Sequence, residues 1–328
     1  MQTAGFSSWA RTLSLVIACL MVSAPAGADQ FDEASKWLER MSQAMSELDY
    51  QGTFVYLQGD DVETMRITHV RDASGVRERL VTVSGPTREI IRDANGVSGL
   101  VGAAPDTPAG QPSGSTVFPE FPAEALREAR LRYMFELGRQ GRIAGHKGQR
   151  ITILPKDEYR YGYELWLQSD TGLLLRWVLY DSKRKPLARL MFTELRIGPE
   201  VDHSELQTSG NPQPLIAPAT SAGAGSVKRE APGVEQPTGM PPGFRLAAHS
   251  RQGAQGQLEH LVFSDGLATV SVYIEPIDAR RGMSEGLSRM GTTNAWIHSD
   301  GRHQVTAIGE VPAITVQKMG AAFAARGR

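Results

Sequence analysis

Short turns between runs of alternating apolar and polar residues constrain the fold of this chain most strongly. From Gln51 onward, apolar residues recur at every second position, the period of a strand with one buried face. The first predicted strands are Thr53–Leu57, Val62–Val70, Val76–Val83 and Arg88–Arg92. They are separated by turn sequences such as Asp72-Ala73-Ser74-Gly75. Because such short connections can join only antiparallel neighbours, the pattern predicts a meander rather than alternating strands and helices.

A second group of strands follows further along the chain. Its predicted members are Arg142–Leu154, Tyr161–Gln168, Leu173–Tyr180 and Leu187–Ile197. The middle two are apolar at nearly every position, which predicts a sheet that is buried on both faces. One face would lie under helices, and the other would line a core or a cavity.

Two helices are predicted beside these strands. The first runs from about residue 29 to Leu48 and carries one apolar stripe at helical period. The stripe consists of Phe31, Ala34, Trp37, Leu38, Met41, Ala44, Met45 and Leu48. The second helix is short, opens at Pro122 and ends near Arg132, with proline at a tolerated first-turn position.

Two stretches lack any periodic pattern. Gly96–Pro119 is rich in glycine, proline, alanine and serine, and it is predicted to be a long mobile loop. In Ser209–Met240, 18 of 32 residues are of these four types and none is aromatic, so this stretch cannot bury enough surface to fold. We therefore expect a linker at 209–240 between a domain at 29–208 and a smaller domain at 241–325.

The smaller domain is also predicted to be an antiparallel β structure. Its strands are Phe244–His249, Gln257–Phe263, Leu267–Glu275, Ala295–His298 and Gln304–Ile308. A closing helix starts near Pro312 or Ala313 and ends by Ala325. The predicted fold class is therefore mainly β (α+β), with a large and a small antiparallel domain.

The first 28 residues are predicted to be a signal peptide. Arg11 precedes an apolar run at Leu13–Val22, and Ala26-Gly27-Ala28 has the small-x-small pattern of a cleavage site. The run is shorter than the ~20 residues that a membrane-spanning helix needs, which disfavours an uncleaved anchor. Cys19 loosely fits a lipidation site, but the apolar run continues past it. Cleavage after Ala28 would leave an exported chain without cysteine, and hence without disulfides, thiolate catalysis or cysteine-ligated metals.

Charge and motifs exclude several functions. The 35 Lys and Arg residues nearly balance the 36 Asp and Glu residues, so no basic excess indicates nucleic-acid binding. Gly96-Val97-Ser98-Gly99 lacks the last glycine of a nucleophile elbow. Gly223-Ala224-Gly225 lies in the predicted linker with no strand before it, which disfavours a phosphate-binding loop. No catalytic site and no cofactor are predicted, so the chain is not expected to be an enzyme.

Two clusters resemble metal sites only superficially. His298 and His303 have the spacing of a ligand pair, but they flank a hairpin turn and lack further ligands nearby in sequence. Asp60, Asp61 and Glu63 crowd a turn without the register of a calcium loop. Both are interpreted as surface turns, and no metal site is predicted.

Two further groups are candidates for lipid binding. A pocket could be lined by Tyr161, Tyr163, Leu165, Leu167, Leu175 and Trp177. The alternative is that these residues are ordinary core, which apolar strand faces usually are. Lys183, Arg184 and Lys185 could contact an anionic headgroup, although charged residues in a hairpin turn usually serve only to solvate it.

Blocks spread over both domains resemble the RseB/MucB family. They are Tyr50–Tyr56 with Met65-Arg66-Ile67, Gly85–Arg92, Tyr161–Leu167 with Thr171–Leu175, Val262–Ala268 with Ile274-Glu275-Pro276, and Val305–Pro312. They occur in order along most of the chain after residue 28, which is more specific than any single motif. Gly96–Pro119 matches the family poorly.

The resemblance implies both a fold and a function. It implies that the large domain is a LolA-like unclosed β-barrel backed by helices. It also implies a protein that binds the periplasmic region of an RseA- or MucA-type anti-sigma factor and shields it from the first protease that would destroy it. The sigma factor then stays sequestered until lipid or lipopolysaccharide releases the partner.

Other functions remain open at this point. A periplasmic carrier of lipids or lipoproteins, of the LolA type, is the main alternative, but such a carrier needs no second domain. An envelope hydrolase is disfavoured by the missing catalytic groups. The sequence leaves a structural scaffold and a homo-oligomer open.

Overall fold

The computed structural model describes residues 26–84, 88–94, 96–101, 118–119, 121–208, 210, 213–214, 236–252, 257–277 and 285–325. These residues form two antiparallel sheets, one of eleven strands and one of six. The mainly β fold class predicted from the sequence is confirmed. Among the described residues, none of the helices combines the length and the apolar character needed to cross a bilayer.

The large sheet contains β1–β11 and is accompanied by two helices. The elements are α1 Ala26–Glu47, β1 Tyr50–Gln58, β2 Asp61–Asp72, β3 Gly75–Ser84, β4 Arg88–Asp93, β5 Gly96–Val101, α2 Ala123–Ala129, β6 Tyr133–Ile143, β7 His146–Pro155, β8 Gly162–Gln168, β9 Leu174–Tyr180, β10 Pro186–Ile197 and β11 Gln213–Pro214. A 3-10 turn at His203–Leu206 precedes β11. The strand order is β11-β5-β4-β3-β2-β1-β10-β9-β8-β7-β6, so β11 and β6 are the two edges and the sheet is not closed.

The two meanders of this sheet are joined by the pairing of β1 with β10. Tyr50 lies opposite Ile197, and the register continues to Gln58 opposite Ala188 with one irregularity after Thr53. Gly52 permits this close pairing, because a Cβ at that position would collide with the backbone of β10 and the ring of Phe192. Sequence periodicity predicts the strands of each meander but not this long-range contact.

Helix α1 covers the inner face of the large sheet. Its apolar stripe packs as predicted: Ala34, Leu38 and Met41 are almost fully buried. The ring of Phe31 meets that of Phe135 on β6 edge-on, with centroids 5.0 Å apart. Burial of a leucine side chain contributes about 1.5–3 kcal/mol, so Leu38→Ala is expected to cost about 2–5 kcal/mol.

The small sheet carries one helix on its inner face. Its elements are β12 Arg245–Gln252, β13 Leu258–Ser264, β14 Thr269–Pro276, β15 Gly286–Met290, β16 Thr293–Ser299, β17 His303–Gly309 and α3 Ala313–Ala324. The strand order is β12-β13-β14-β17-β16-β15. Gly320 of α3 allows the ring of Trp296 to approach the helix backbone, since a Cβ there would overlap that ring. The five strands and the helix predicted from the sequence are present, and β15 was not predicted.

One predicted strand is wrong in its boundaries. The stretch Arg142–Leu154 is not a single strand but the end of β6, a turn and most of β7. Ala144 and Gly145 form the turn with φ values of 48° and 82°. Turns of this conformation usually carry Asn-Gly or Asp-Gly, because alanine rarely adopts a left-handed conformation. Here alanine takes the first position, so the usual sequence signal of the hairpin is missing. For that reason the sequence did not reveal β6.

Each of the two stretches without a pattern contains a strand among its described residues. The predicted loop Gly96–Pro119 begins with β5, which pairs with β4, and its residues 102–117 lie outside the described residues. The predicted linker Ser209–Met240 contains β11, where Gln213 pairs with Gly99. Residues 215–235 lie outside the described residues, as do residues 1–25 of the predicted signal peptide. Pairing with β4, rather than local propensity, orders the start of the loop.

The short helix near Pro122 is confirmed but is smaller than predicted. Pro122 is its N-cap residue with φ −59° and ψ 139°, and α2 ends at Ala129 rather than at Arg132. The backbone N–H of Arg132 donates to the carbonyl of Ala129 in the turn that leads into β6. The chain must leave the helix there, because Tyr133 already pairs with Pro155 of β7.

Candidate functional site

Five of the six candidate pocket residues lie on the paired strands β8 and β9 of the large sheet, and Tyr161 immediately precedes β8. Leu165 of β8 is directly opposite Trp177 of β9, and Tyr163 is opposite Leu179. Residues directly opposite each other in an antiparallel pair share one face. Tyr161, Leu165, Leu167, Leu175 and Trp177 are buried in the main core, and Tyr163 is half-buried against it. The structure thus brings the predicted residues together as part of an apolar face.

Aromatic side chains from other segments cover this face. The ring of Phe121 meets that of Tyr163 edge-on at 5.5 Å, and Tyr56 of β1 lies 6.0 Å from Trp177. Phe118 stacks on Phe192 of β10 with centroids 6.2 Å apart. The segment that contains Phe118 and Phe121 therefore packs into the inner face of the sheet. These contacts fit an ordinary core as well as the wall of a pocket, so the choice between pocket and core stays a prediction.

The basic hairpin turn lies at one end of the same strands. Tyr180 at the end of β9 pairs with Gly162, beside Tyr161, and the turn begins at the next residue. The carboxylate of Asp181 accepts hydrogen bonds from the backbone N–H groups of Lys183 and Lys185, at 2.9 and 2.8 Å. The side chains of Lys183, Arg184 and Lys185 are exposed. A fixed backbone therefore presents three cations to solvent beside the Tyr161 end of the apolar face.

The two clusters that resemble metal sites lie at hairpin turns, one in each sheet. Among the described residues, no group of three or more His, Cys, Asp or Glu side chains could hold a metal ion. His298 packs its ring against Trp296 at 5.4 Å. Asp60 and Asp61 are exposed at the turn between β1 and β2.

A buried ion pair that the sequence did not predict lies between the two sheets. Arg160, in the loop between β7 and β8, pairs with Asp265 in the turn between β13 and β14, and both side chains are fully buried. The Oδ1 atom of Asp265 accepts hydrogen bonds from the backbone N–H groups of Leu267 and Ala268, at 2.9 and 2.7 Å. The Oδ2 atom, which pairs with Arg160, also accepts a hydrogen bond from the hydroxyl of Tyr133 at 3.1 Å. Each oxygen of this carboxylate therefore accepts two hydrogen bonds from groups that the fold holds in place.

The guanidinium of Arg160 is satisfied on its other sides as well. Its Nε donates to Asp157 at 2.9 Å, and its Nη2 donates to the carbonyl of Pro242 at 2.6 Å. The same group lies 5.2 Å from the ring centroid of Phe244. A buried charge is tolerated only when it is paired and hydrogen-bonded in this way. The sequence signal was weak, because Ser264-Asp265-Gly266 has the composition of an ordinary tight turn.

Further hydrogen bonds extend this contact along the β7–β8 loop. Asn294 of β16 donates to the hydroxyl of Tyr161 at 3.0 Å. Thr315 of α3 donates a hydrogen bond to the backbone carbonyl of Tyr159 at 2.7 Å, and Lys318 donates one to the hydroxyl of Tyr159 at 2.8 Å. One end of the large sheet is therefore held between the β13–β14 turn and helix α3 of the small sheet.

Two tyrosines near this contact have raised pKa values. Burial raises the pKa of Tyr133 well above its usual value, with a further contribution from the charge of Asp265. Burial likewise raises the pKa of Tyr163. Both hydroxyls therefore stay protonated at neutral pH. Tyr133 donates a fixed hydrogen bond to Asp265, and Tyr163 packs its ring against Phe121.

Comparison with known proteins gives matches over both sheets. The MucB/RseB N-terminal domain matches residues 33–210, and the MucB/RseB C-terminal domain matches residues 235–324. The sigma factor AlgU regulatory protein MucB of Pseudomonas aeruginosa is 31% identical over 94% of this chain and 96% of its own length. The sigma-E factor regulatory protein RseB of Escherichia coli K12 is 25% identical over 94% and 95% of the two chains.

Solved structures agree with the sequence matches. A crystal structure of MucB in complex with MucA(peri) superposes with a TM-score of 0.64 at 28% identity, over 88% of this chain and 97% of the other. The complex structure of Pseudomonas aeruginosa MucA/MucB gives a TM-score of 0.64 at 29% identity, over the same shares of the two chains. Both domain matches, and relatives that align over nearly the full length, show that this chain belongs to the MucB/RseB family.

Proposed function

We propose that this chain is a periplasmic regulator that binds the periplasmic region of a MucA-type transmembrane anti-sigma factor. By covering that region it protects the anti-sigma factor from the first protease that would cleave it, and the sigma factor stays inactive. The observation that carries the proposal is the match, across both sheets, to MucB solved in complex with MucA(peri). A relative of similar length is named as a regulator of the sigma factor AlgU.

The predicted export signal supports the location. Residues 1–28 have the charge, apolar run and cleavage pattern of a signal peptide. A binding role rather than an enzymatic one is supported by the relatives, which are named as regulatory proteins. It is also supported by the described tyrosines and carboxylates of the contact between the sheets, which are committed to structural hydrogen bonds.

We further propose that lipid controls partner binding. The apolar face with Tyr163, Leu165 and Trp177 would accept acyl chains, and the turn at 183–185 would contact an anionic headgroup. If lipid and partner favour different arrangements, each must weaken the other by the same coupling free energy. Isothermal titration with lipopolysaccharide, with and without saturating partner, measures this directly. Equal lipid affinity in both titrations contradicts the lipid control.

The partner is tested by a pull-down with residues 29–328 against the envelope proteins of the same organism, with and without lipopolysaccharide. We expect recovery of a single-pass anti-sigma factor that is lost when lipopolysaccharide is added. Recovery of lipoproteins or lipid, with no anti-sigma factor, would instead identify a carrier. Removal of residues 241–328 separates the two roles, since a carrier keeps lipid transfer without the small sheet whereas a regulator loses partner control.

A further inference from the structure

Strand β6 forms a long edge of the large sheet. It spans Tyr133–Ile143 and pairs with β7 along its inner side. Among the described residues, no other strand pairs with its outer side. Such an edge offers unpaired backbone groups to any extended chain, and natural proteins usually protect it with charges or bulges. Here the register shifts between Leu137 and Gln140, so the first five residues remain a regular strand.

Exposed apolar side chains are concentrated at this edge. Eight large apolar residues are exposed in the described part of the chain, and three of them lie within 131–137. They are Leu131 at 67%, Met134 at 47% and Leu137 at 37% exposure. Leu131 lies in the turn before β6, and Met134 and Leu137 lie on the strand itself. An edge that served only to repel other strands would not carry such side chains, because exposed apolar groups on a strand edge favour association.

The same part of the chain is strongly basic. Residues 127–150 contain seven Lys and Arg residues and two Asp and Glu residues, whereas the whole chain has a net charge of −1. Arg139 and Arg142 of β6 are exposed. A second copy of this chain would bring the same positive charge to the edge and would be repelled. The chain's own stretches 102–117 and 215–235 contain only three acidic and two basic residues, so they do not supply a complementary acidic strand.

We infer that the outer edge of β6 binds an extended segment of the anti-sigma factor in which apolar and acidic side chains alternate. The segment adds a twelfth strand to the sheet, and backbone hydrogen bonds supply affinity while side chains supply specificity. Leu137 lies opposite Ile151, which lies opposite Leu165, so an added strand would extend the inner apolar face. On the other face of the sheet, Met134 would contact side chains of the added strand. This inference rests on the proposed function and names the surface that performs it.

The test compares two double variants of residues 29–328. Met134→Glu/Arg139→Glu replaces one apolar and one basic side chain of the edge by acidic ones. Arg189→Glu/Met191→Glu makes the same two changes at exposed positions of β10, a strand that is paired on both sides. The probe is the purified periplasmic region of the anti-sigma factor from the same genome. We expect the edge variant to bind at least tenfold more weakly, and the control variant to bind within twofold of the wild type. Thermal unfolding verifies that both variants are folded.

Cross-linking locates the contact independently. Residues 29–328 contain no cysteine, so Met134→Cys introduces one thiol that can carry a photo-crosslinker. We expect cross-links to a single acidic and apolar segment of the probe. A matching label at Val62→Cys, an exposed site on β2, should give no such product.

The outcomes separate the inference from the proposed function. If the wild type binds the probe and the edge variant binds equally well, the edge site is wrong and the proposed function stands. If the wild type does not bind, both are overturned. If the edge variant loses binding only to phosphatidylglycerol vesicles and keeps its affinity for the probe, the edge contacts lipid and the inference is again wrong.

Discussion

The guanidinium of Arg160 and the carboxylate of Asp265 form an ion pair between the two sheets, with both side chains fully withdrawn from solvent. Such a pair is a poor source of net stability, because the cost of desolvating two charges offsets much of their attraction. It is, however, intolerant of change, since removal of one partner leaves the other charge buried and unpaired. The pair therefore specifies how the small sheet docks on the large one.

Arg160→Met is expected to destabilise the protein by about 3–5 kcal/mol, because it leaves Asp265 charged and buried. Asp265→Asn keeps an oxygen for the backbone N–H groups of Leu267 and Ala268 but removes the charge. The double variant should therefore be more stable than Arg160→Met alone. Urea unfolding of the four proteins gives the coupling free energy. Strictly additive effects would show that the two charges do not depend on each other.

Gly266→Ala is expected to weaken the docking of the β13–β14 turn on α2. Gly266 has a φ of +105°, and a Cβ there would collide with the carbonyl oxygen of Ala125. Gly301→Ala is the matched control, because Gly301 has a φ of +88° in another hairpin turn with nothing within 4 Å of its Cβ position. Backbone strain alone costs about 1–3 kcal/mol at either site. The loss of thermal stability should be clearly larger for Gly266→Ala, and equal losses would contradict the packing argument.

Arg184→Gly tests the proposed headgroup contact without disturbing the fold. Arg184 has a φ of 60°, a conformation that glycine adopts freely, so the free energy of unfolding should change by less than about 1 kcal/mol. One cation near an anionic membrane surface contributes about 1 kcal/mol, so affinity for lipopolysaccharide should fall about fivefold. Arg302→Ala removes a charge from an exposed turn of the small sheet and serves as the control in the same titration. Equal affinity of Arg184→Gly and the wild type would remove this turn from the lipid proposal.

Acid should destabilise the small sheet through His260. Burial lowers the pKa of His260 below its ordinary value of 6.5, so the unfolded chain takes up a proton more readily than the folded one. The free energy of unfolding therefore falls as the pH drops below about 6.5, until the pH passes the folded pKa. His260→Phe keeps the stacking on Tyr273 and removes the titration.

Urea unfolding at pH 7.5 and 5.0 measures this effect. The wild type should lose more stability between the two values than His260→Phe does. The same pH dependence in wild type and His260→Phe would show that His260 does not titrate differently in the folded state.

The local pattern of the sequence was sufficient for most of the elements. Helix α1 and the strands β1–β4 follow from apolar periods and turn residues, because those signals depend only on neighbours along the chain. The family resemblance also came from local blocks, and both domain matches agree with it. The position of Tyr163 and Leu165 on one face follows from strand alternation, and the short connection to β9 brings Trp177 opposite Leu165.

Other features depended on contacts that only the complete fold supplies. Strand β5 is ordered by pairing with β4, and the turn at Ala144 is held in an unfavourable conformation by the hairpin around it. The burial of Arg160 against Asp265, 105 residues away in sequence, results from the docking of two sheets. A charged residue is usually exposed, so no local signal distinguishes the rare one that is buried. The tertiary structure decides this, because packing determines which distant groups can compensate each other's desolvation.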